Sequence, residues 1–158
     1  MKIIICCTAV AVLLVTTLAA ENNPIWLSIG VKLGHTYGKG GGFTWGFEAS
    51  CVSWVANESF MVGGVCDIDF CKERSKLHLG VEGGRWLIGA DIGPTWAFGT
   101  DSSAMGLTVT PFVSLVIPAL YYSRTFFAQS HLNELGAYVK FPMPINYKAN
   151  HEFDWNND

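Results

Sequence analysis

The feature that most restricts this chain is a strict period of two between Pro24 and Ala56. Ile25, Leu27, Ile29, Val31 and Leu33 fall on one side of the first arm, and Ser28, Gly30, Lys32 and Gly34 on the other. After a turn at Gly38–Gly42, Phe43, Trp45, Phe47, Ala49 and Cys51 alternate with Thr44, Gly46, Glu48 and Ser50. Side chains change sides at every residue of a strand and every few residues of a helix, so the pattern predicts a long β-hairpin. Its two faces differ in chemistry. One is bulky and uncharged; the other is small, with one charge near the middle of each arm.

The same alternation recurs down the chain and predicts eight strands. The third covers Phe60–Phe70, the fourth Lys76–Glu82, followed by a tight Gly83-Gly84 turn, and the fifth Trp86–Phe98. The sixth runs from Gly106 to Ile117, with Pro118 marking a turn, and the eighth covers Glu134–Phe141. The seventh, Leu120–Ala128, is ambiguous in phase because Tyr121, Tyr122, Phe126 and Phe127 occupy both faces. Pro94 and Pro111 each remove a ladder donor, which predicts bulges or bends. Alternate connectors look shorter (Ala56–Ser59, Glu82–Arg85, around Pro118) than the others (Tyr37–Gly42, Cys71–Ser75, Gly99–Ala104, Gln129–Asn133), the asymmetry expected of outer-membrane barrels.

Alternation does not say which face points outward; side-chain size does. The interior of an eight-stranded barrel holds only side chains or one small ligand. Rows of Trp, Phe, Ile and Leu would overfill it, whereas Gly, Ser, Thr and a few charges fit. The reading is therefore all-β: an eight-stranded antiparallel up-and-down transmembrane β-barrel with its apolar face towards lipid. The alternative is a secreted soluble barrel with an apolar ligand cavity. In the membrane reading the lumen holds Lys32, Glu48, Asp67, Asp69, His78, Glu82, Asp91, Glu134 and Lys140. Arg124 on the lipid face would cost up to ~2–4 kcal/mol near the midplane, so the seventh strand is phased with Arg124 inward. Isolated charges in a narrow lumen must pair or keep water. A Lys32–Glu48 pair across the first hairpin is expected, in a lumen too full to conduct.

Composition agrees. The chain has 158 residues, room for one domain, and only 15% are charged against the ~25% of ordinary soluble domains. Residues 1–20 read as a cleavable signal peptide: Lys2, an apolar run from Ile3 to Val15, then small residues ending Ala19-Ala20. The run is short of the ~20 apolar residues of a membrane helix. The barrel is assigned to residues 24–142 and a polar, disordered tail to 143–158, where His151, Glu152 and Asp154 have no fixed geometry for a metal. A formal charge of -3 is too mild to imply nucleic acid. Cys51 and Cys66 fall on the apolar faces of consecutive strands, and a turn centred between Glu58 and Ser59 would set them opposite one another. A disulfide and small apolar packing are both open there. No metal or cofactor pattern is present.

The eighth strand resembles the closing strand of small bacterial outer-membrane β-barrel proteins, which reads polar-x-Gly-x-x-apolar-x-aromatic. Glu134, Gly136, Val139 and Phe141 occupy the matching positions in Glu134-Leu135-Gly136-Ala137-Tyr138-Val139-Lys140-Phe141. The pattern departs in one respect, since seventeen residues follow Phe141. The resemblance implies insertion by the barrel-assembly machinery, contact with outer-membrane lipid, and residence as a monomer in the outer membrane of a Gram-negative-type cell.

Some eight-stranded outer-membrane barrels are lipid-modifying enzymes with a Ser–His–acid set on the outer rim. The rim candidates here are His131 with Ser130 and Glu134, or His35 with Tyr37. No nucleophile motif surrounds them, and adjacent Ser130 and His131 would point to opposite faces of a strand. Gly38-x-Gly40-Gly41-Gly42 lacks the Lys-Ser/Thr of a phosphate loop. Trp26, Trp45, Trp54, Trp86 and Trp96 read as interfacial aromatics. The expected role is non-enzymatic: envelope structure or surface contact, with lipid modification as the alternative.

Overall fold

The computed structural model describes residues 25–38, 41–55, 60–99, 103–115 and 117–145, so the signal-like segment and the tail from 146 onward lie outside the described residues. Eight strands follow one another: β1 (Ile25–Tyr37), β2 (Gly42–Val55), β3 (Phe60–Cys71), β4 (Arg74–Arg85), β5 (Ile88–Gly99), β6 (Ser103–Ser114), β7 (Pro118–Phe127) and β8 (His131–Pro144). Each pairs antiparallel with its successor, and β1 also pairs with β8, closing the barrel in sequence order. Closure gives every strand two neighbours and leaves no open sheet edge. Strands of 10 to 14 residues reach or exceed the ~9–11 needed to cross hydrocarbon at a tilt.

The bulky face of each strand lies outside. Ile29, Val31, Leu33, Phe47, Ile92, Leu107, Val113, Leu120, Leu135 and Val139 are all at least two-fifths exposed. Lys32, Glu48, Asp67, Asp69, His78, Glu82, Asp91 and Glu134 are buried. A soluble barrel with an apolar interior is therefore not what this chain builds. The physical reason is volume: Gly30 and Gly46 occupy inward positions beside the β1–β2 charges, and larger residues there would meet neighbouring backbone.

Several local expectations are corrected. Pro94 and Pro111 produce no bulge: the β5–β6 register runs unbroken past both. Instead the β4–β5 ladder lapses between His78↔Thr95 and Val81↔Ile92, and the β6–β7 ladder between Val109↔Arg124 and Phe112↔Tyr121, each resuming in register. A strand residue donates to one neighbour only, so a proline interrupts one ladder and spares the other. The turn after β4 is Trp86-Leu87 rather than Gly83-Gly84, since both glycines pair, with Ala90 and Gly89. Trp86 has φ 55°, the left-handed region that a bulky residue seldom adopts. The connectors at 72–73 and 86–87, on opposite ends, are equally short, so the predicted asymmetry of loop length is absent there. β8 continues to Pro144 through pairs with Trp26 and Leu27, beyond the boundary expected at 142.

The β2–β3 register places Cys51 opposite Gly64 and Cys66 opposite Ala49, so the two cysteines are not opposite one another. Both are free thiols on the outer wall. Cys71 is also free, and its Sγ lies 3.9 Å from Thr36 Oγ1 inside the barrel.

Candidate functional site

Among the described residues, charged groups converge in the lumen. Lys32 rises from β1 to Asp67 Oδ2 at 2.9 Å and Asp69 Oδ2 at 3.4 Å, both on β3. Lys76 on β4 bridges Asp69 at 3.2 Å and Glu134 on β8. Lys140 on β8 sits between Glu48 on β2 and Glu82 on β4, at 3.1 Å from the latter. Lys32 and Glu48 thus both point inward but do not pair. The register sets Lys32 opposite Gly46 and Glu48 opposite Gly30, and each charge finds its partner across the bore instead.

Lys32 and Lys76, both buried, and half-buried Lys140 face six carboxylates, an excess of three over the lysines that further donors moderate. Tyr121 Oη donates to Glu134 at 2.5 Å. His78 Nε2 lies 2.9 Å from Asp91, and its Nδ1 lies 2.9 Å from Thr95 Oγ1. Hydroxyls continue that line around the wall from Thr95 to Thr108 and from Thr108 to Thr125, the latter at 2.8 Å. An acid, an imidazole and a hydroxyl in sequence have the order of a hydrolytic triad. Thr95 is 1% exposed and its hydroxyl is engaged by Thr108, so the line is built as structure.

Aromatic rings fill the axis. Tyr121 and Tyr138 stack at 5.8 Å, with Lys32 Nζ 4.9 Å from the first ring and Lys140 Nζ 4.6 Å from the second. Two glycines on neighbouring strands make room for this layer. A Cβ on Gly136 would lie 2.6 Å from Tyr121 Cζ, and one on Gly34 would lie 2.8 Å from Tyr121 Oη. Gly136 of the closing-strand pattern is therefore a packing requirement as well as a pattern residue. Val139 and Phe141 of the same pattern face outward, and Glu134 faces inward.

Arg124 corrects the reading of β7. Ala119, Tyr121, Ser123 and Thr125 are buried, which turns Arg124 outward, where its guanidinium lies 5.0 Å from the Phe126 ring. It stands close to the β7–β8 connector, and near an interface an outward Arg costs only ~0–1 kcal/mol. The midplane penalty that argued for the opposite phase does not apply there. Lys76 was missed, though it lies two positions from inward His78 and shares its parity. Of the two rim sets, His131 with Ser130 and Glu134 is not assembled, while His35 and Tyr37 meet as a ring contact. Glu134 is committed to Lys76 and Tyr121, His131 is exposed, and His35 packs its ring 4.9 Å from Tyr37.

The lumen has a second, different part at the end where β1 begins and β8 ends. A cavity of about 320 Å³ opens there, lined by Trp26, Val52, Trp54, Met61, Phe112 and Tyr138 above Lys140. Trp26 and Trp54 thus line the interior instead of joining an outer aromatic girdle, while Trp45 faces outward against Phe70 at 4.8 Å. Parity signalled this, since both share a face with inward Ser28 and Ser50.

No protein-family model matches the sequence, and no curated protein does. Among solved structures, Neisserial surface protein A is similar with a TM-score of 0.50 and 13% identity, over 73% of this chain and 95% of that one. Ail, the attachment invasion locus protein of Yersinia pestis, aligns at a TM-score of 0.38 and 12% identity, over 75% of this chain and 99% of that one. In fold, this chain is an eight-stranded antiparallel barrel of the kind that Neisserial surface protein A adopts.

Proposed function

We propose that this chain is an integral protein of the outer membrane of a Gram-negative-type cell, exported by its N-terminal segment and inserted by the barrel-assembly machinery. Its role is structural or one of surface contact, without catalysis, as a monomer in contact with outer-membrane lipid. One observation carries the reading: the polarity of the barrel is inverted relative to a soluble protein. An apolar wall covers the middle of the outside, with Arg124 turned outward near the β7–β8 connector, and the cluster of lysines and carboxylates lies within. In water such a wall would far exceed the apolar patch a soluble monomer tolerates; in hydrocarbon it is the required surface. Only two to four residues separate successive strands, which favours surface contact through the rim.

Fractionation tests it. The mature protein is expected in the outer-membrane fraction, extracted only by detergent, and migrating differently in gels before and after boiling. A protein recovered soluble without detergent, with identical boiled and unboiled mobility, would refute the proposal.

A further inference from the structure

We propose that the barrel mouth at the chain-termini end binds one acyl chain of a membrane phospholipid, admitted over the Trp86-Leu87 turn. This rests on the membrane reading above. The inward positions of the far half are mostly Thr, Ser and charged residues, as a polar lumen requires. At the near end that rule breaks on four strands: Trp26 on β1, Val52 and Trp54 on β2, Met61 on β3 and Phe112 on β6. These side chains enclose the cavity of about 320 Å³, within the ~300–1,000 Å³ of small-molecule sites. An apolar wall open to water loses free energy with nothing in return; one that receives an apolar guest does not.

The floor decides which end of a guest enters. Lys140 is engaged by Glu48 and Glu82 together, so the local balance is one cation against two carboxylates. An anionic head group finds no free cation there and meets surplus negative charge. The end that enters is therefore uncharged.

The doorway is visible in the wall. Trp86 and Leu87 line the inner cavity and also border an open concavity at the rim, formed by outward Phe60 and Ile88, by Arg85, and by Gly83, Gly84 and inward Gly89. One two-residue turn thus joins the apolar outer surface to the apolar interior. Trp86 holds its positive φ with its side chain three-quarters exposed. Backbone strain of this kind persists where the surrounding structure or a function demands it. An acyl chain lying against Phe60 and Ile88 can follow Trp86 and Leu87 past Arg85 and over the rim to Met61, Val52 and Phe112.

The test uses the full mature chain folded into phosphatidylcholine vesicles containing a phosphatidylcholine with a diazirine at the acyl terminus. Irradiation followed by peptide mapping is expected to place adducts on Val52, Met61 and Phe112 as well as on outward Ile92 and Leu107. Met61→Arg puts a bulky cation into the cavity within reach of Glu82. It should reduce adducts on Val52 and Phe112 about tenfold while leaving Ile92 unchanged. If that variant does not fold, Ser50→Trp fills the same space without charge. Adducts confined to outward residues of an inserted, heat-modifiable protein overturn the inference and leave the membrane reading intact. Failure to insert overturns the membrane reading itself. Inward adducts that appear only after deletion of residues 146–158 assign the cavity to the protein's own tail and overturn the lipid. Inward labelling by a diazirine fatty acid and not by the phospholipid likewise overturns it.

Discussion

Lys140→Met is the sharpest perturbation of the lumen. The ammonium lies between Glu48 and Glu82 and within 4.6 Å of the Tyr138 ring, with both carboxylate side chains about 5% exposed. Methionine fills the same volume and removes the charge, leaving two buried acids without a partner and raising the acid excess from three to four. Removing one member of a buried pair costs ~3–5 kcal/mol, because the remaining charge stays desolvated. Since every ~1.4 kcal/mol is tenfold, the folded-to-unfolded ratio should fall about 10²- to 10³-fold. The compensated variant, Lys140→Met with Glu48→Gln and Glu82→Gln, removes all three charges. It should recover much of that loss, because no buried charge is then left without its partner. Reversible urea unfolding in vesicles, followed by tryptophan fluorescence and by unboiled gel mobility, reads both values. A loss below about 1 kcal/mol for Lys140→Met would show that water screens the cluster as at a surface. A triple variant no more stable than the single one would show that the lysine acts through packing.

Gly136→Ala drives a methyl to 2.6 Å from Tyr121 Cζ, a close approach within a packed layer, and should cost ~1–3 kcal/mol in the same unfolding assay. Arg124→Ala should change stability by no more than ~1 kcal/mol, whereas Val31→Arg, near the middle of β1, should cost ~2–4 kcal/mol; equal effects would mean that depth in a bilayer is irrelevant. Reductant should leave unboiled gel mobility unchanged, since Cys51 and Cys66 are free and out of register. In the inserted protein those two thiols should react with a lipid-soluble maleimide and resist a charged one; rapid labelling by the charged reagent would place them in water.

Much of this molecule is legible along the chain because a strand shows its two faces in alternate letters. The number of strands, their order and the inward parity of Lys32, Glu48, Asp67, His78, Glu82, Asp91 and Lys140 follow from that period. Bulk then decides direction: a narrow interior accepts Gly30 and Gly46 and rejects Trp45 and Phe47. The phase of β7 was not legible by that route. Tyr121 and Tyr122 satisfy either face, and the cost of a buried or lipid-facing Arg124 depends on its depth, which adjacent letters do not carry. The shared parity of Trp26, Val52, Trp54, Met61 and Phe112 with the lumen is a property of the sequence, but their convergence on one cavity is a property of the closed barrel.

By itself the sequence determined an all-β chain with one apolar and one polar face, because residue-to-residue alternation is a local property of an extended backbone. Only the tertiary structure decided which charges meet. Lys32 reaches β3 rather than its hairpin neighbour Glu48, Lys140 joins Glu48 to Glu82, and Lys76 closes on Glu134. Partners across a bore are set by strand stagger around the closed barrel. That quantity sums every turn and register, so no single stretch of sequence contains it.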